Sequence, residues 1–173
     1  MIFITKFGGI IMSIVAVRID ERLIHGQVAN LWTTKLQASR IMVVDNDIIK
    51  NDIQKTALKL AKPAGVNLSI LGVKKSSANI LAGKYDSQKV FLVVKKPSIL
   101  VSMMEEGVKF DTINVGNMSQ KDTTQHLTQS INVTDDDYHA FHQLLDAGVK
   151  VTAQMVPSDN IKNFEDILKD YKI

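Results

Sequence analysis

The segment Arg18-Ile19-Asp20-Glu21-Arg22-Leu23-Ile24-His25-Gly26-Gln27-Val28 concentrates groups that can do chemistry. Two arginines, two carboxylates and a histidine fall within eight residues. Neutral imidazole is abundant near pH 7, so His25 can act as a nucleophile. Guanidinium forks match the oxygens of a phosphoryl group, which makes Arg18 and Arg22 candidates for stabilising one. Asp20 is a candidate to orient the imidazole through one ring nitrogen and leave the other free. Gly26 removes a side chain beside the histidine and lets backbone approach. If a helix starts here, its free N–H groups and positive dipole end add an anion-binding element. Together these parts suit a site that accepts and holds a phosphoryl group on His25. The plainer alternative is a set of surface salt bridges beside a histidine at a helix start.

The elements that must position this loop read as strands alternating with helices. IVAVRI (14–19) is apolar and β-branched, and 26–36 reads as a helix. RIMVVD (40–45), NLSILGV (67–73), KVFLVV (89–94) and DTINVGN (111–117) read as further strands. Between them, 46–61 carries Ile49, Ile53, Ala57, Leu60 and Ala61 at helical spacing, with Pro63 and Gly65 as stops. Residues 76–83 form a short helix closed by Gly83, with Ser76 and Ser77 as its caps or as groups facing the His25 loop. Pro97 suits the first turn of a helix that runs to Gly107. Residues 118–130 are polar and read as a loop, followed by a short strand at 131–133. Helix 134–148 has Thr134 as N-cap and acids in its first turn, and 151–156 and 158–171 read as a last strand and a last helix.

This alternation implies a single α/β domain, an open, mostly parallel, twisted sheet of about six to seven strands with helices on both faces. Ligands bind at the carboxyl ends of such strands, where the His25 loop lies. Length agrees: 173 residues suit one domain. Residues 1–11 read as an N-terminal extension or misassigned start, with Met12 as the natural start and 12–173 as the domain. The absence of cysteine excludes disulfides, thiolate nucleophiles and cysteine-ligated metals. The net charge of +3 comes from scattered lysines without a basic block, so no nucleic-acid face is expected. The chain lacks GxGxxG and GxxxxGK[ST], so nucleotide cofactor binding has no support. No apolar run reaches the ~18 residues of a membrane span.

RIDERLIHGQV closely resembles the active-site loop of the enzyme IIB component of the mannose/fructose/sorbose family of the bacterial phosphoenolpyruvate-dependent sugar phosphotransferase system. VVDNDIIKND, KLAKPAGVNLSIL, INVGNM and GVKVTAQMVP resemble further stretches of that family, so the resemblance covers nearly the whole chain from Met12. It implies that His25 takes a phosphoryl group, on Nδ1, from a phosphohistidine of the IIA component. The group then passes to a sugar delivered by the membrane components IIC and IID. It implies phosphate stabilisation by Arg18 and Arg22, and a cytoplasmic protein peripherally associated with the inner face of the membrane. The departures are the N-terminal extension and Glu21, where Asp is equally at home.

The chemistry needs no cofactor and no metal, since a phosphoramidate is already activated and the protein must chiefly position it. Two rival readings have less behind them. Histidine-phosphatase chemistry places Arg directly before His-Gly, where Ile24 stands here. A non-catalytic regulatory or binding module that senses phosphorylation state shares the loop but not its purpose. Among the remaining residues, His126 sits in the polar segment with a possible place near the site. His139 and His142 share a helix face, as a solvated pair or a metal pair. Trp32, seven residues beyond His25 on the same helical face, reads as packing. Gly116-Asn117 reads as a turn or as a close backbone approach. Self-association as a homodimer is compatible with the sequence, and the sugar is not encoded in it.

Overall fold

RIMVV and VFLVV are apolar at nearly every position, and strands of that kind need cover on both faces. The computed structural model describes residues 13–172 and gives them that cover. In chain order the elements are β1 (Ile14–Asp20), α1 (Gly26–Leu36), β2 (Arg40–Val44), a 3-10 turn (Ile48–Lys50), α2 (Asp52–Ala61), β3 (Asn67–Leu71), α3 (Val73–Leu81), β4 (Val90–Val94), α4 (Pro97–Glu105), β5 (Thr112–Asn117), β6 (Gln125–Thr128), β7 (Ile131–Val133), α5 (Asp135–Asp146), β8 (Lys150–Ala153), β9 (Lys162–Asn163) and α6 (Phe164–Leu168). The sheet order is β3-β2-β4-β1-β5-β8-β9. Every pairing in it is parallel except β8 with β9. The architecture is the open, mostly parallel α/β sheet that the strand and helix patterns imply.

Alternation along the strands sends side chains to two separate cores. Ile41 and Val43 of β2 and Phe91 and Val93 of β4 pack with Trp32 of α1 and Leu58 of α2. Their neighbours Met42, Val44, Leu92 and Val94 pack on the other face with Leu100 of α4, Phe141 of α5 and Phe164 of α6. The chain therefore leaves β1 toward one face, while the strands on either side of β1 lead to helices on the opposite face. That change of direction opens a crevice at the carboxyl end of β1.

Helix starts follow their sequence signals. Thr134 accepts from the Asp137 amide and Asp137 accepts from the Thr134 amide, a complete capping box. Pro97 sits in the first turn of α4.

Other expectations need correction. Residues 118–130 are not all loop, because Gln125–Thr128 pairs antiparallel with Ile131–Val133 as a hairpin. The final helix is short, 164–168, and the chain before it runs as an edge strand. The last parallel strand ends at Ala153, since Gln154 and Met155 turn toward the site. The helix expected over 46–61 is broken into a 3-10 turn and α2, because Asp45 Oδ1 accepts from the amides of Asp47 and Ile48 and Asn51 starts a fresh cap. Ser76 and Ser77 are not caps. Helix α3 starts three residues earlier, where Asn46 Oδ1 accepts from the Val73 amide, and both serines are fully buried within the helix. The reading of Met12 as the natural start lies outside the described residues. No described helix is long and apolar enough to cross a membrane.

Candidate functional site

On the α1 side of the sheet, three adjacent strands carry polar residues where β2 and β4 carry apolar ones. These are Arg18 and Asp20 of β1, Asn114 of β5 and Thr152 of β8, with Gly116 of β5 carrying no side chain among them. Arg18 organises them. Arg18 is 2% exposed, and all five of its guanidinium N–H groups reach protein acceptors. Nε and Nη2 donate to Asp20 Oδ2 at 3.3 and 2.9 Å, Nη1 to Asn114 Oδ1 and the Gln154 carbonyl at 2.6 and 2.9 Å, and Nη2 also to the Met155 carbonyl at 3.0 Å. The indole of Trp32 covers it, with the guanidinium carbon 5.1 Å from the ring centre and Nε1 donating to the same Met155 carbonyl. Burial pushes the Arg18 pKa below its usual value, against the opposing pull of Asp20.

Gly116 makes this arrangement possible. A Cβ at that position would lie 1.8 Å from Arg18 Nη2 and 2.0 Å from Cζ. The glycine is not a turn, and the group that closely approaches its backbone is the Arg18 guanidinium. Gly116 lies within β5 and leaves room for the guanidinium.

Asp20 is 1% exposed and lies between two guanidinium groups. Arg22 grips it from the solvent side, Nε to Oδ1 and Nη2 to Oδ2, both at 3.0 Å, with the Arg22 amide also on Oδ1. Both carboxylate oxygens are thus taken by arginines, and no hydrogen bond joins Asp20 to the His25 ring among the described residues. Asp20 orients Arg22 instead of the imidazole. The Arg22 side chain is 29% exposed, and its Nη1 has no partner among the described residues.

Glu21 and Arg22 form the centre of a tight turn closed by the Leu23 amide on the Asp20 carbonyl. Leu23 adopts φ +59°, a left-handed conformation costly for a branched residue, and is held there by burial against the α1 core. Gly26 at φ +46° then turns the chain into α1, which explains a glycine directly after the histidine. His25 occupies the N-cap position of α1 and is exposed, and its imidazole makes no hydrogen bond among the described residues. No side chain caps α1 and no acid occupies its first turn, so the positive end of the helix is left un-neutralised.

Glu21 ties the loop to the segment after β5. It accepts from the Ser119 amide at 2.9 Å and pairs with Lys121 at 2.6 Å. Burial pushes its carboxyl upward, but Lys121 and the Ser119 amide outweigh this and hold it below the usual value.

The other singled-out residues fall elsewhere. His126 pairs with Asn132 across the hairpin at 3.0 Å. His139 and His142 pack against Tyr138. No cluster of metal-ligating side chains occurs among the described residues. Asn114, Gln154 and Met155 also belong to the site and lie outside the loop motif, although the alternation in TINVGN and KVTAQM marks the strands that deliver them.

Residues 14–173 match the family described as the PTS system sorbose subfamily IIB component. The chain is 36% identical over 159 residues to the fructose-specific EIIB component of Bacillus subtilis (strain 168), covering 92% of this chain and 98% of the relative. It is 33% identical over 148 residues to the mannose-specific EIIAB component of Escherichia coli (strain K12), covering 86% of this chain and 46% of that longer protein. Its structure matches the crystal structure of the IIB domain of the sorbose permease from Klebsiella pneumoniae with a TM-score of 0.87 at 30% identity, over 92% of this chain and 98% of that one. The chain belongs to the sorbose-type IIB components, which transfer phosphoryl groups within the sugar phosphotransferase system.

Proposed function

We propose that His25 is the phosphoryl carrier, accepting the group from a phosphohistidine of a IIA component and passing it to a sugar held by IIC and IID. One observation carries this reading. The only ring in the β1–α1 loop is exposed, has no hydrogen-bond partner among the described residues, and sits at an uncapped helix N-terminus three residues after Arg22.

In the first step a lone pair of the neutral His25 imidazole, through Nδ1, attacks phosphorus. The N–P bond of the donor breaks and its electrons return to the donor ring, which leaves as neutral imidazole when its other nitrogen carries a proton. The phosphorylated His25 ring sheds one proton to solvent, so charge balances across the exchange. In the second step the phosphorylated ring takes a proton on Nε2, a sugar hydroxyl oxygen attacks the phosphorus and gives its proton to solvent, and the N–P bond breaks with its electrons returning to His25, which leaves as neutral imidazole. The activity is then that of a protein-Nπ-phosphohistidine–sugar phosphotransferase.

The residues divide the work. Arg22 Nη1 and the first N–H groups of α1 stabilise the equatorial oxygens. Asp20 holds the Arg22 fork in one plane, and Arg18, its own donors spent, holds Asp20. Arg18 is therefore a positioning residue.

The site lies on an edge with basic side chains. Because β1, β3 and β4 are parallel, the loop carrying His25, the first turn of α3 with Lys74–Lys75 and the turn with Lys95–Lys96 follow the sheet at the same end. That edge suits an acidic rim on IIA, and the mannose-specific relative, named as an EIIAB component, supports such a partner. Work beside IIC and IID places the protein at the inner face of the membrane, bound peripherally. Residues 12–173 form the functional domain in this reading.

The test is phosphate uptake from phosphoenolpyruvate with the general phosphotransferase proteins and a cognate IIA. Wild type takes up an acid-labile, base-stable label and His25→Ala does not. Label on His25→Ala would overturn the assignment.

A further inference from the structure

Helix α2 turns its apolar stripe away from the sheet. Of its ten residues only Leu58 is buried. Ile53 and Leu60 are each 83% exposed, the most exposed large apolar side chains among the described residues. Ala57 and Ala61 are exposed as well. At about 100° per residue, these four positions span an arc of roughly 100° whose centre lies about 110° from Leu58. A stripe at helical spacing ordinarily marks the face a helix buries. Here the fold buries the other side, and the stripe is left without a partner in the monomer.

The charges beside the stripe say what covers it. Asp52, whose side chain is 94% exposed and pairs with Lys55 of its own helix at 2.8 Å through one oxygen, and Lys59 lie on the same edge, about 20° apart around the axis. A two-fold axis through the middle of α2 brings a second copy antiparallel, with Ile53 against Leu60 of the second copy and the small Ala57 at the crossing. A rotation of this kind keeps the charged edges on the same side. It sets Asp52 of each copy within about 3 Å, measured along the axis, of Lys59 of the other, from the 1.5 Å rise per residue. The pattern is its own complement, as an isologous contact requires.

We propose that the outward face of α2 is a homodimer contact, an antiparallel α2–α2 pairing closed by two reciprocal Asp52–Lys59 ion pairs. It uses no residue of the β1–α1 loop and does not rest on the assignment of His25. Two short helix faces cover less than the ~800 Å² per partner of a standard interface, so the dimer is weak and fills only at high protein concentration.

The test is sedimentation equilibrium from about 20 μM to 1 mM protein, a range suited to a contact of sub-standard area. Wild type shows a monomer–dimer equilibrium. Leu60→Asp and Ile53→Ser weaken it at least tenfold while circular dichroism and melting confirm that they fold. Asp52→Lys weakens it at least threefold, and Asp52→Lys combined with Lys59→Asp restores it. A wild type that stays monomeric across the range overturns the proposal. So does a dimer that survives Leu60→Asp, or a charge exchange that fails to restore. Binding of monomeric wild type to anionic phospholipid vesicles, lost in Leu60→Asp, would assign the stripe to a lipid surface and overturn it as well.

Discussion

Replacing Gly116 by alanine should evict Arg18, and the energetics of that eviction can be isolated. The added Cβ would sit 1.8 Å from Nη2, 2.0 Å from Cζ and 2.5 Å from Nη1 of Arg18. Strand β5 is hydrogen-bonded to β1 on one side and β8 on the other, so the backbone cannot yield. The guanidinium must leave, and its five hydrogen bonds go with it. Asp20 is then buried with Arg22 as its one charged partner, Asn114 Oδ1 and the Gln154 carbonyl lose their donor, and the Met155 carbonyl keeps only Trp32 Nε1. Breaking a buried pair from one side costs about 3–5 kcal/mol, so Gly116→Ala and Arg18→Ala should each cost about that much. In Arg18→Ala the space is already empty, and adding the alanine methyl should cost under about 1 kcal/mol more. The double variant is therefore about as stable as Arg18→Ala alone, with a coupling energy of about 3 kcal/mol. Urea unfolding of the four proteins, at constant m, measures it. Costs that add to within ~0.5 kcal/mol would refute the claim that Gly116 is there for Arg18.

Three further outcomes follow from other parts of the molecule. Thr134→Ala removes half of the capping box of α5 and should cost about 1 kcal/mol, lowering Tm by about 2–4 °C in calorimetry. Burial and the hydrogen bond to Asp135 push the Tyr171 phenol from 10.0 up to about 12. A raised folded value means that its stabilising contribution is full below pH 10 and is lost as pH climbs toward 12, so alkaline unfolding should steepen in that window and Tyr171→Phe should flatten it. Phosphoryl transfer from IIA should slow severalfold between ~0.05 and ~0.5 M salt, and less so in a variant with Lys74 and Lys96 changed to glutamine, as stopped-flow mixing would show.

The fold was legible where one signal dominated. RIMVV and VFLVV announced strands covered on both faces, and Thr134 announced its helix through a cap and three acids. Composition hid the β6–β7 hairpin, because Gln125–Thr128 is polar and gains its place from pairing and from Gln125 binding the Lys172 backbone, a contact distant in sequence. The His25 loop was legible from residue types alone, but the division of labour inside it was not. Which arginine is buried depends on strand alternation, which sends Arg18 inward beneath Trp32 and leaves Arg22 beyond the strand end. Asp20 read as a partner for histidine because the two are near in sequence, whereas two guanidinium groups reach it first. In α2 the periodicity gave the helix but not its orientation, since the stripe of Ile53 and Leu60 points outward.

The most direct test of the central claim is to phosphorylate the wild-type protein and find the phosphorus. Phosphorus-31 NMR of protein charged by phosphoenolpyruvate, the general phosphotransferase proteins and IIA, followed by peptide mapping, reads both the atom and the residue. A single phosphoramidate on Nδ1 of His25 is expected. A phosphoryl group on His126, His139 or His142, or an acyl phosphate on a carboxylate, would contradict it.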